Sequence, residues 1–266
     1  MDDDSAQVEL AIIGGGNMGA ALLGGLLDSG AFDASVIAVV EVAAGRRDEL
    51  ASQFPGVRVE VVVPRCAGAV IAVKPADTPA AASAAGASGA ARVLSIAAGV
   101  RLATIEAAVG RDVAVVRAMP NTPALVRLGA CAIAAGTSAD ADDVAWARQI
   151  LAAVGTVDEV DESALDAFTG VAGSGPAYVF LVAEALIDAA VAEGLEPDMA
   201  ERVVRQLLLG SATLLDRDGD PTRLREMVTS PNGTTAAGLD ALAECDLRGA
   251  FGAAVRAATK RSSELG

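Results

Sequence analysis

The feature that most constrains this chain is a glycine-rich segment near its start. Residues 10–13 form a short, β-branched apolar run typical of a buried strand, and they lead directly into GGGNMG at 14–19. A helical apolar pattern follows at 20–27. Glycines at this spacing allow a tight turn, close approach of the backbone to a pyrophosphate and close packing of helix on strand. The segment therefore predicts a dinucleotide site at a helix N-terminus, with a turn made for packing alone as the alternative.

Strand and helix patterns alternate through the first part of the chain. Further strand patterns lie at residues 36–40, 57–63, 69–73, 93–97, 113–118, from 131 and near 157, with helical patterns among them at 46–53, 79–85, 102–109 and 140–153. This alternation predicts βαβ units and a parallel sheet. We therefore expect an α/β fold, with an N-terminal Rossmann dinucleotide-binding domain at residues 1–161.

From residue 162 onward only helical patterns appear, so we expect an all-helical C-terminal domain at residues 162–266. Three prolines stand where helices are predicted to begin, at positions 176, 197 and 221. The uncharged stretch 167–183 lacks basic flanks and contains GSGP, so it predicts a buried core helix rather than a membrane span. Residues 177–191 are apolar on nearly every side, and we expect a partner subunit to cover them; burial against the chain's own first domain is the alternative.

The charge balance limits the classes of partner. The net charge of −15 argues against nucleic acid and against an anionic membrane. Lys74 and Lys260 are the only lysines, and an acidic surface of this kind fits either a protein that works in concentrated salt or a GC-rich genome.

Histidine is absent from the sequence, which removes histidine general acids and most zinc sites, and we expect no metal. Cys66, Cys131 and Cys245 are unclustered and predict buried thiols of an intracellular protein. The acidic opening Met1-Asp2-Asp3-Asp4 is neither a signal nor a transit peptide, so we expect a cytoplasmic protein.

Three further segments at predicted strand ends are candidates for binding, because parallel sheets bind ligands at that edge. In AVKP at 72–75, Lys74 could reach a cofactor, or it could simply be solvated. The small residues of SIAAG at 95–99 would let a flat nicotinamide lie against the backbone. MPNTP at 119–123 suits a rigid pocket wall and equally an ordinary loop.

A turn cluster in the helical half, SPNGTT at 230–235, stands immediately before an Ala-rich helix. Such a turn offers backbone N–H groups and hydroxyls to a carboxylate. A simple helix cap by Ser230 or Thr234 is the alternative.

The chain resembles the pyrroline-5-carboxylate reductases from end to end, in the stretches IIGGGNMG, AVKPAD, SIAAGV, RAMPNTPALV, GVAGSGPAYVF and TSPNGTTAAG. The last two stretches are the most specific. The resemblance implies NAD(P)H-dependent reduction of the cyclic imine 1-pyrroline-5-carboxylate to L-proline, the last step of proline biosynthesis. It also implies that the helical domain carries the substrate site and interlocks with a second subunit in a homodimer, often the unit of a larger ring such as a decamer.

The resemblance also assigns site residues. The implied cofactor contacts are Ile13, Gly14, Gly15, Gly16, Asn17, Met18, Ala72, Val73, Lys74, Pro75, Ala97, Ala98 and Gly99. The implied substrate residues are Glu162, Ser230, Gly233, Thr234 and Thr235, with the Thr235 hydroxyl facing the imine nitrogen as the catalytic group. Asn232 stands where the family usually has glycine, and we expect the turn to survive because asparagine tolerates left-handed backbone.

The nature of the cofactor rests on the end of the second strand. Glu41 is placed to bind a ribose 2′-hydroxyl and to repel a 2′-phosphate, whereas Arg46 and Arg47 could hold that phosphate. Because the family more often prefers NADPH, we predict use of both cofactors with NADPH slightly ahead of NADH.

Two other functions remain open from the sequence. One is a different imine or β-hydroxyacid reductase of the same architecture, which usually depends on a lysine in the helical domain, where this chain has only Lys260. The other is a non-catalytic dimer that senses NAD(P) redox state.

Overall fold

The computed structural model describes residues 7–265, so the acidic opening Met1-Asp4 lies outside the described residues. The chain forms two compact units. The first contains the described residues up to Ser174 together with those from Ala257 on, and the second is Gly175–Arg256. Contacts thus group residues 162–174 with the first unit, while the domain boundary at residue 161 stays a prediction.

The first unit is built on an eight-stranded sheet of order β3-β2-β1-β4-β5-β6-β7-β8. Its strands are β1 Val8–Ile13, β2 Ile37–Val40, β3 Arg58–Glu60, β4 Cys66–Ile71, β5 Arg92–Ser95, β6 Ala114–Met119, β7 Gly129–Ala135 and β8 Gly155–Glu159. After β3 the chain returns to the other side of β1, so the strand order reverses between β1 and β4. A reversal of this kind opens a ligand crevice at the carboxyl ends of the strands.

Helices cover both faces of the sheet, which confirms the predicted fold class. They are α1 Asn17–Asp28, α2 Ala44–Gln53, α3 Thr78–Ala87, α4 Leu102–Val109, α5 Ala141–Ala152 and the short α6 Leu165–Phe168, which continues into a π-helical turn, Thr169–Gly173. Helices α1, α2 and α5 pack on one face of the sheet, and α3, α4 and α6 pack on the other. The inner strands are therefore buried on both faces, as their continuous apolar sequences indicate.

Two details of the sheet differ from the prediction. Strands β6 and β7 are antiparallel, because the connection between them, residues 120–128, is too short for a parallel crossover. Strand β3 has three residues rather than the seven predicted. It lies at the sheet edge, and the side chains of Val61 and Val62 that would extend it are exposed.

The second unit is entirely helical in its described residues. Its helices are α7 Gly175–Ala192, α8 Pro197–Asp218, α9 Pro221–Met227, α10 Thr234–Glu244 and α11 Leu247–Ser263, whose last residues belong to the first unit. All three prolines stand in the first turn of a helix, as predicted.

The prediction of a buried core helix at residues 167–183 is wrong for the single chain. None of the residues of α7 is buried, and Phe180 and Leu181 are 62% and 63% exposed. By length and composition alone, the helical run Glu162–Ala192 is long and apolar enough to cross a membrane, with a mean hydropathy of 1.6 over an 18-residue window. Apolar side chains lie on nearly every side of α7, and a unit of this size cannot cover all of these sides, so several remain exposed.

The cysteines differ in their surroundings. Cys66 and Cys131 are fully buried, and burial raises the pKa of the Cys131 thiol to about 11 and that of Cys66 above its ordinary value. Cys245 is exposed at the end of α10, contrary to the prediction. Cys245 lies in the connection between α10 and α11, and such connections run over the protein surface.

Candidate active site

The three segments assigned to the cofactor follow β1, β4 and β5, which are neighbours in the sheet. The Ala72 N–H donates to the Ile13 carbonyl at 2.8 Å, and the Ile96 N–H donates to the Ile71 carbonyl at 3.0 Å. These bonds align the carboxyl ends of the strands, so residues 13–18, 72–75 and 97–99 share one edge of the sheet.

The glycine turn has the geometry of an anion cradle. Gly14 has a φ of +110°, and a Cβ there would lie 2.5 Å from the Ala72 carbonyl oxygen, so only glycine fits. A Cβ on Gly19 would overlap the Gly14 carbonyl oxygen. By contrast, a Cβ on Gly16 would have no described atom within 4 Å, and no described side chain caps α1 at its start. Open space before an uncapped helix N-terminus fits a dinucleotide pyrophosphate.

Glu41 and Arg46 lie against this turn. One Glu41 oxygen accepts from the Gly15 N–H at 3.1 Å, and the other accepts from the Ala43 N–H at 2.9 Å. The Arg46 Nε donates to the Gly15 carbonyl at 2.7 Å, and its Nη1 pairs with Glu49 at 2.7 Å. The two charged groups therefore also stabilise the turn that they flank.

Arg47 is placed one step further along α2. Its Nη1 donates to the carbonyl oxygens of Glu41 and Val42, at 3.0 and 2.8 Å. The structure thus brings Glu41, Arg46 and Arg47 together at the end of β2, where the sequence predicts them.

The other strand-end segments differ in exposure. Lys74 is exposed, and it precedes the short helical turn Pro75–Asp77. Ala97 is buried, Ala98 is exposed, and Gly99 has a φ of +77°. In the β5–α4 connection, Ala98 is therefore the assigned residue whose side chain reaches the surface.

Asn121, in the MPNTP segment at 119–123, connects three parts of the first unit. Its Oδ1 accepts from the Ala130 N–H and its Nδ2 donates to the Ala172 carbonyl, both at 3.0 Å. The side chain is only 9% exposed. These bonds give this segment a structural role, fixing the connection after β6 to β7 and to the π-helical turn.

The predicted substrate turn lies in the second unit and is tightly formed. The Gly233 N–H donates to the Ser230 carbonyl at 3.0 Å, and Asn232 has a φ of +58°. With Pro231 before it, this is the pattern of a type II turn, which requires a positive φ at its third residue. Asn232 therefore adopts the left-handed conformation in which the resemblance implies a glycine.

Helix α10 begins directly after this turn, with Gly233 as its N-cap. No hydrogen bond from a described side chain caps it, so a cap by Ser230 or Thr234 is not formed. Ser230, Thr234 and Thr235 are all exposed. The turn thus presents hydroxyls beside helix N–H groups that are open to an anion.

Glu162 belongs to the first unit, whereas the four other residues predicted to bind substrate belong to the second. Its Oε1 accepts from the Leu102 N–H at 2.7 Å and pairs with Arg117 at 2.8 Å. Arg117 is only 3% exposed. The Glu162 carboxylate therefore lies at the N-terminus of α4, directly after the connection that contains Ala97 to Gly99.

Sequence reasoning missed the charged residues beside this connection. Asp166, 8% exposed, pairs with Arg101 at 3.2 Å and accepts from the Ser262 hydroxyl at 2.8 Å. An arginine inside the apolar run AVVRAM was a readable signal for Arg117, because a charge in a buried strand requires a partner. No local signal joins Asp166 to Ser262, which are 96 residues apart.

No group of three or more acidic or cysteine side chains that could hold a metal ion occurs within residues 7–265.

Comparisons with known proteins match both parts of the chain. A family model described as "Pyrroline-5-carboxylate reductase dimerisation" matches residues 162–265, and one described as "NADP oxidoreductase coenzyme F420-dependent" matches residues 9–99. A pyrroline-5-carboxylate reductase from Synechocystis is 43% identical over 265 residues, which cover 97% of this chain and 98% of that protein.

Solved structures agree with this likeness. A pyrroline-5-carboxylate reductase from Coxiella burnetii superimposes with a TM-score of 0.90 at 34% identity, covering 98% of this chain and 99% of the other. The pyrroline carboxylate reductase of Plasmodium falciparum, solved with NADP bound, gives a TM-score of 0.84 at 27% identity, with 97% and 98% covered. The likeness therefore extends through both units at nearly full length, and the chain belongs to the pyrroline-5-carboxylate reductase family of oxidoreductases.

Proposed function

We propose that this protein reduces 1-pyrroline-5-carboxylate to L-proline with NAD(P)H, as the last step of proline biosynthesis. The observation that carries the proposal is the turn before α10, where three exposed hydroxyl residues flank an uncapped helix N-terminus. A small anionic imine needs such a receptor for its carboxylate. Family membership over both units supports a matching cofactor site in the first unit.

The cofactor would be held along the edge of the sheet. Gly14 to Met18 would receive the pyrophosphate, because the turn is open at Gly16 and α1 has no described side-chain cap. Ala72 to Pro75 and Ala97 to Gly99 would contact the remainder of the dinucleotide. When bound, NAD(P)H supplies the hydride that the imine carbon accepts.

The substrate carboxylate would be held by the helix N-terminus and hydroxyls of the turn, from Ser230, Gly233 and Thr234. Thr235 would donate its hydroxyl to the imine nitrogen, which becomes more basic as hydride arrives. Such a bond is stronger in the transition state than in the ground state, and it therefore accelerates the reaction. Glu162 would meet the substrate through Oε2, because Oε1 already binds Leu102 and Arg117.

The absence of histidine from the sequence is compatible with this chemistry. The cyclic imine is readily protonated in water, so the protein need not supply a strong acid. Its contributions are proximity, an anchored carboxylate and exclusion of water around the reacting carbon.

The family match includes a dimerisation domain, and oligomerisation follows from it. We propose that a second copy covers the exposed apolar residues of α7, and that dimers assemble into a ring such as a decamer. We further propose that the enzyme works in the cytoplasm on a small-molecule substrate, without nucleic acid or membrane as partner.

The test is a direct assay of the purified chain. Oxidation of NADPH and of NADH would be followed with 1-pyrroline-5-carboxylate at low and at high salt, with proline identified by chromatography. We expect turnover with both cofactors. Tight NADPH binding without proline formation would favour the redox-sensing dimer, whereas turnover of other imines or of β-hydroxyacids alone would favour the other reductase class.

A further inference from the structure

The connection between β5 and α4, residues 96–101, is held at its C-terminal end by two carboxylates, those of Glu162 and Asp166. The Glu162 Oε1 accepts from the Leu102 N–H, the first of α4, at 2.7 Å. The Asp166 Oδ2 pairs with Arg101, the last residue of the connection, at 3.2 Å. The residues proposed to contact the nicotinamide therefore lie in a segment whose C-terminal end, at Arg101 and Leu102, is held by these two carboxylates.

The position of Asp166 depends in turn on the C-terminal segment. Its Oδ1 accepts from the Ser262 hydroxyl at 2.8 Å, and the two residues are 8% and 5% exposed. A buried carboxylate oxygen that loses its donor pays a desolvation penalty, so the side chain would move to find another partner. Because the other oxygen binds Arg101, any such movement reaches the β5–α4 connection.

A second contact joins the same two segments. Gly99 has a φ of +77°, and a Cβ on it would lie only 2.9 Å from the Leu265 Cβ. The turn that ends α11 is closed by a hydrogen bond from the Leu265 N–H to the Ser262 carbonyl at 3.2 Å. The chain after Ser262 therefore packs directly on the glycine that follows Ala97 and Ala98.

We propose that Asp166 and Ser262 are positioning residues for hydride transfer. Ser262 fixes Asp166, and Asp166 acts through Arg101 to hold the β5–α4 connection where it supports the nicotinamide, while Leu265 packs on Gly99 of the same connection. This role rests on the proposed function of Ala97 to Gly99. A displacement of about 1 Å in a reacting group can cost on the order of a hundredfold in rate. The substrate carboxylate is assigned to a different segment, so loss of positioning lowers kcat more than it raises KM for the imine.

The experiment compares Ser262→Ala with the matched control Ser263→Ala. The Ser263 hydroxyl is exposed and donates only within its own helix, to the Lys260 carbonyl at 2.7 Å. In the protein without cofactor, we expect the amides of residues 96–102 to exchange hydrogen on the order of tenfold faster in Ser262→Ala and at the wild-type rate in Ser263→Ala.

Kinetics provide the second measurement. For Ser262→Ala we expect kcat to fall on the order of tenfold, with KM for 1-pyrroline-5-carboxylate within about twofold of wild type. The isotope effect on kcat with NADPH deuterated at the transferred position rises, because hydride transfer becomes the slower step. Ser262→Thr keeps the hydroxyl, and we expect it to restore both kcat and the isotope effect to their wild-type values.

A wild-type kcat in Ser262→Ala overturns the proposal, whether or not hydrogen exchange or the melting temperature changes. If Ser262→Ala does not fold, Arg101→Met breaks the same chain of contacts at a more exposed residue, and the same pattern is expected of it. Failure of the proposed function is distinguishable, since the wild type and Ser263→Ala would then both lack turnover.

Discussion

The Glu41 carboxylate accepts a hydrogen bond from the Gly15 N–H across 3.1 Å, which ties the end of β2 to the glycine turn. Its second oxygen is fixed by the Ala43 N–H. A negative charge is therefore held beside the proposed pyrophosphate site, where we propose that it distinguishes a ribose 2′-hydroxyl from a ribose 2′-phosphate.

Removing this charge is expected to favour NADPH. Glu41→Gln keeps an oxygen that can accept from Gly15 and removes the repulsion of a 2′-phosphate. Two unit charges about 4 Å apart in water interact by about 1 kcal/mol, so the ratio of NADPH to NADH affinity should rise by at least about fivefold. Fluorescence titration with both cofactors measures the ratio, and the control is Asp48→Asn, which removes an exposed carboxylate from the same stretch of α2. An unchanged ratio would mean that Glu41 only supports the turn.

The two arginines of α2 are expected to act in the opposite direction. In an Arg46→Ala/Arg47→Ala double variant, we predict a selective loss of NADPH affinity, because the proposed bidentate contacts to the 2′-phosphate are removed. Since Arg46 also binds the Gly15 carbonyl, NADH affinity reports the damage to the turn itself. Equal losses for both cofactors would contradict the phosphate role.

Thr235 is expected to contribute mainly to kcat. Thr235→Val removes the proposed donor to the imine nitrogen, and kcat should fall on the order of ten- to a thousandfold. Thr234→Ala should be mild, because that residue is proposed to act chiefly through its backbone N–H. Steady-state kinetics and thermal melting of both variants form the test. Early melting of Thr235→Val with an undiminished kcat would assign the hydroxyl a structural role only.

The left-handed backbone at Asn232 leads to a prediction about stability. Asn232→Gly should preserve the turn and leave the melting temperature nearly unchanged, whereas Asn232→Ala should destabilise the folded state by about 1 kcal/mol. Denaturant unfolding of the two variants measures the difference. If alanine is tolerated as well as glycine, the turn does not depend on the positive φ of +58° at this position.

The exposed surface of α7 predicts that the folded chain is an obligate oligomer. Light scattering across a dilution series should give the mass of a dimer or of a multiple of it, because Phe180 and Leu181 would otherwise face water. A well-folded monomer at nanomolar concentration would show that these side chains are covered without a partner.

Local sequence patterns were sufficient for much of the first unit and for the helix starts of the second. The glycine turn could be predicted because strand, turn and helix are consecutive, and Pro176, Pro197 and Pro221 each mark a helix start for a local steric reason. Likewise, the turn from Ser230 to Gly233 is contained in four residues.

What the sequence left undetermined depends on distant pairs. Glu162 was assigned to the substrate, yet its Oε1 binds Leu102 and Arg117, which lie 60 and 45 positions away. Asp166 and Ser262 are further apart still. The direction of β7 was missed for a different reason, since the apolar pattern of a strand is the same whether its neighbour is parallel or antiparallel.

The return of residues from Ala257 onward to the first unit has a consequence for synthesis on the ribosome. Domains generally fold as they emerge, in order from the N-terminus. Here the sheet can form early, but the donor to Asp166 is translated only after the whole of Gly175–Arg256. The first unit can therefore complete its contacts around Asp166 only after residues 175–256 have been made and the end of α11 has left the exit tunnel.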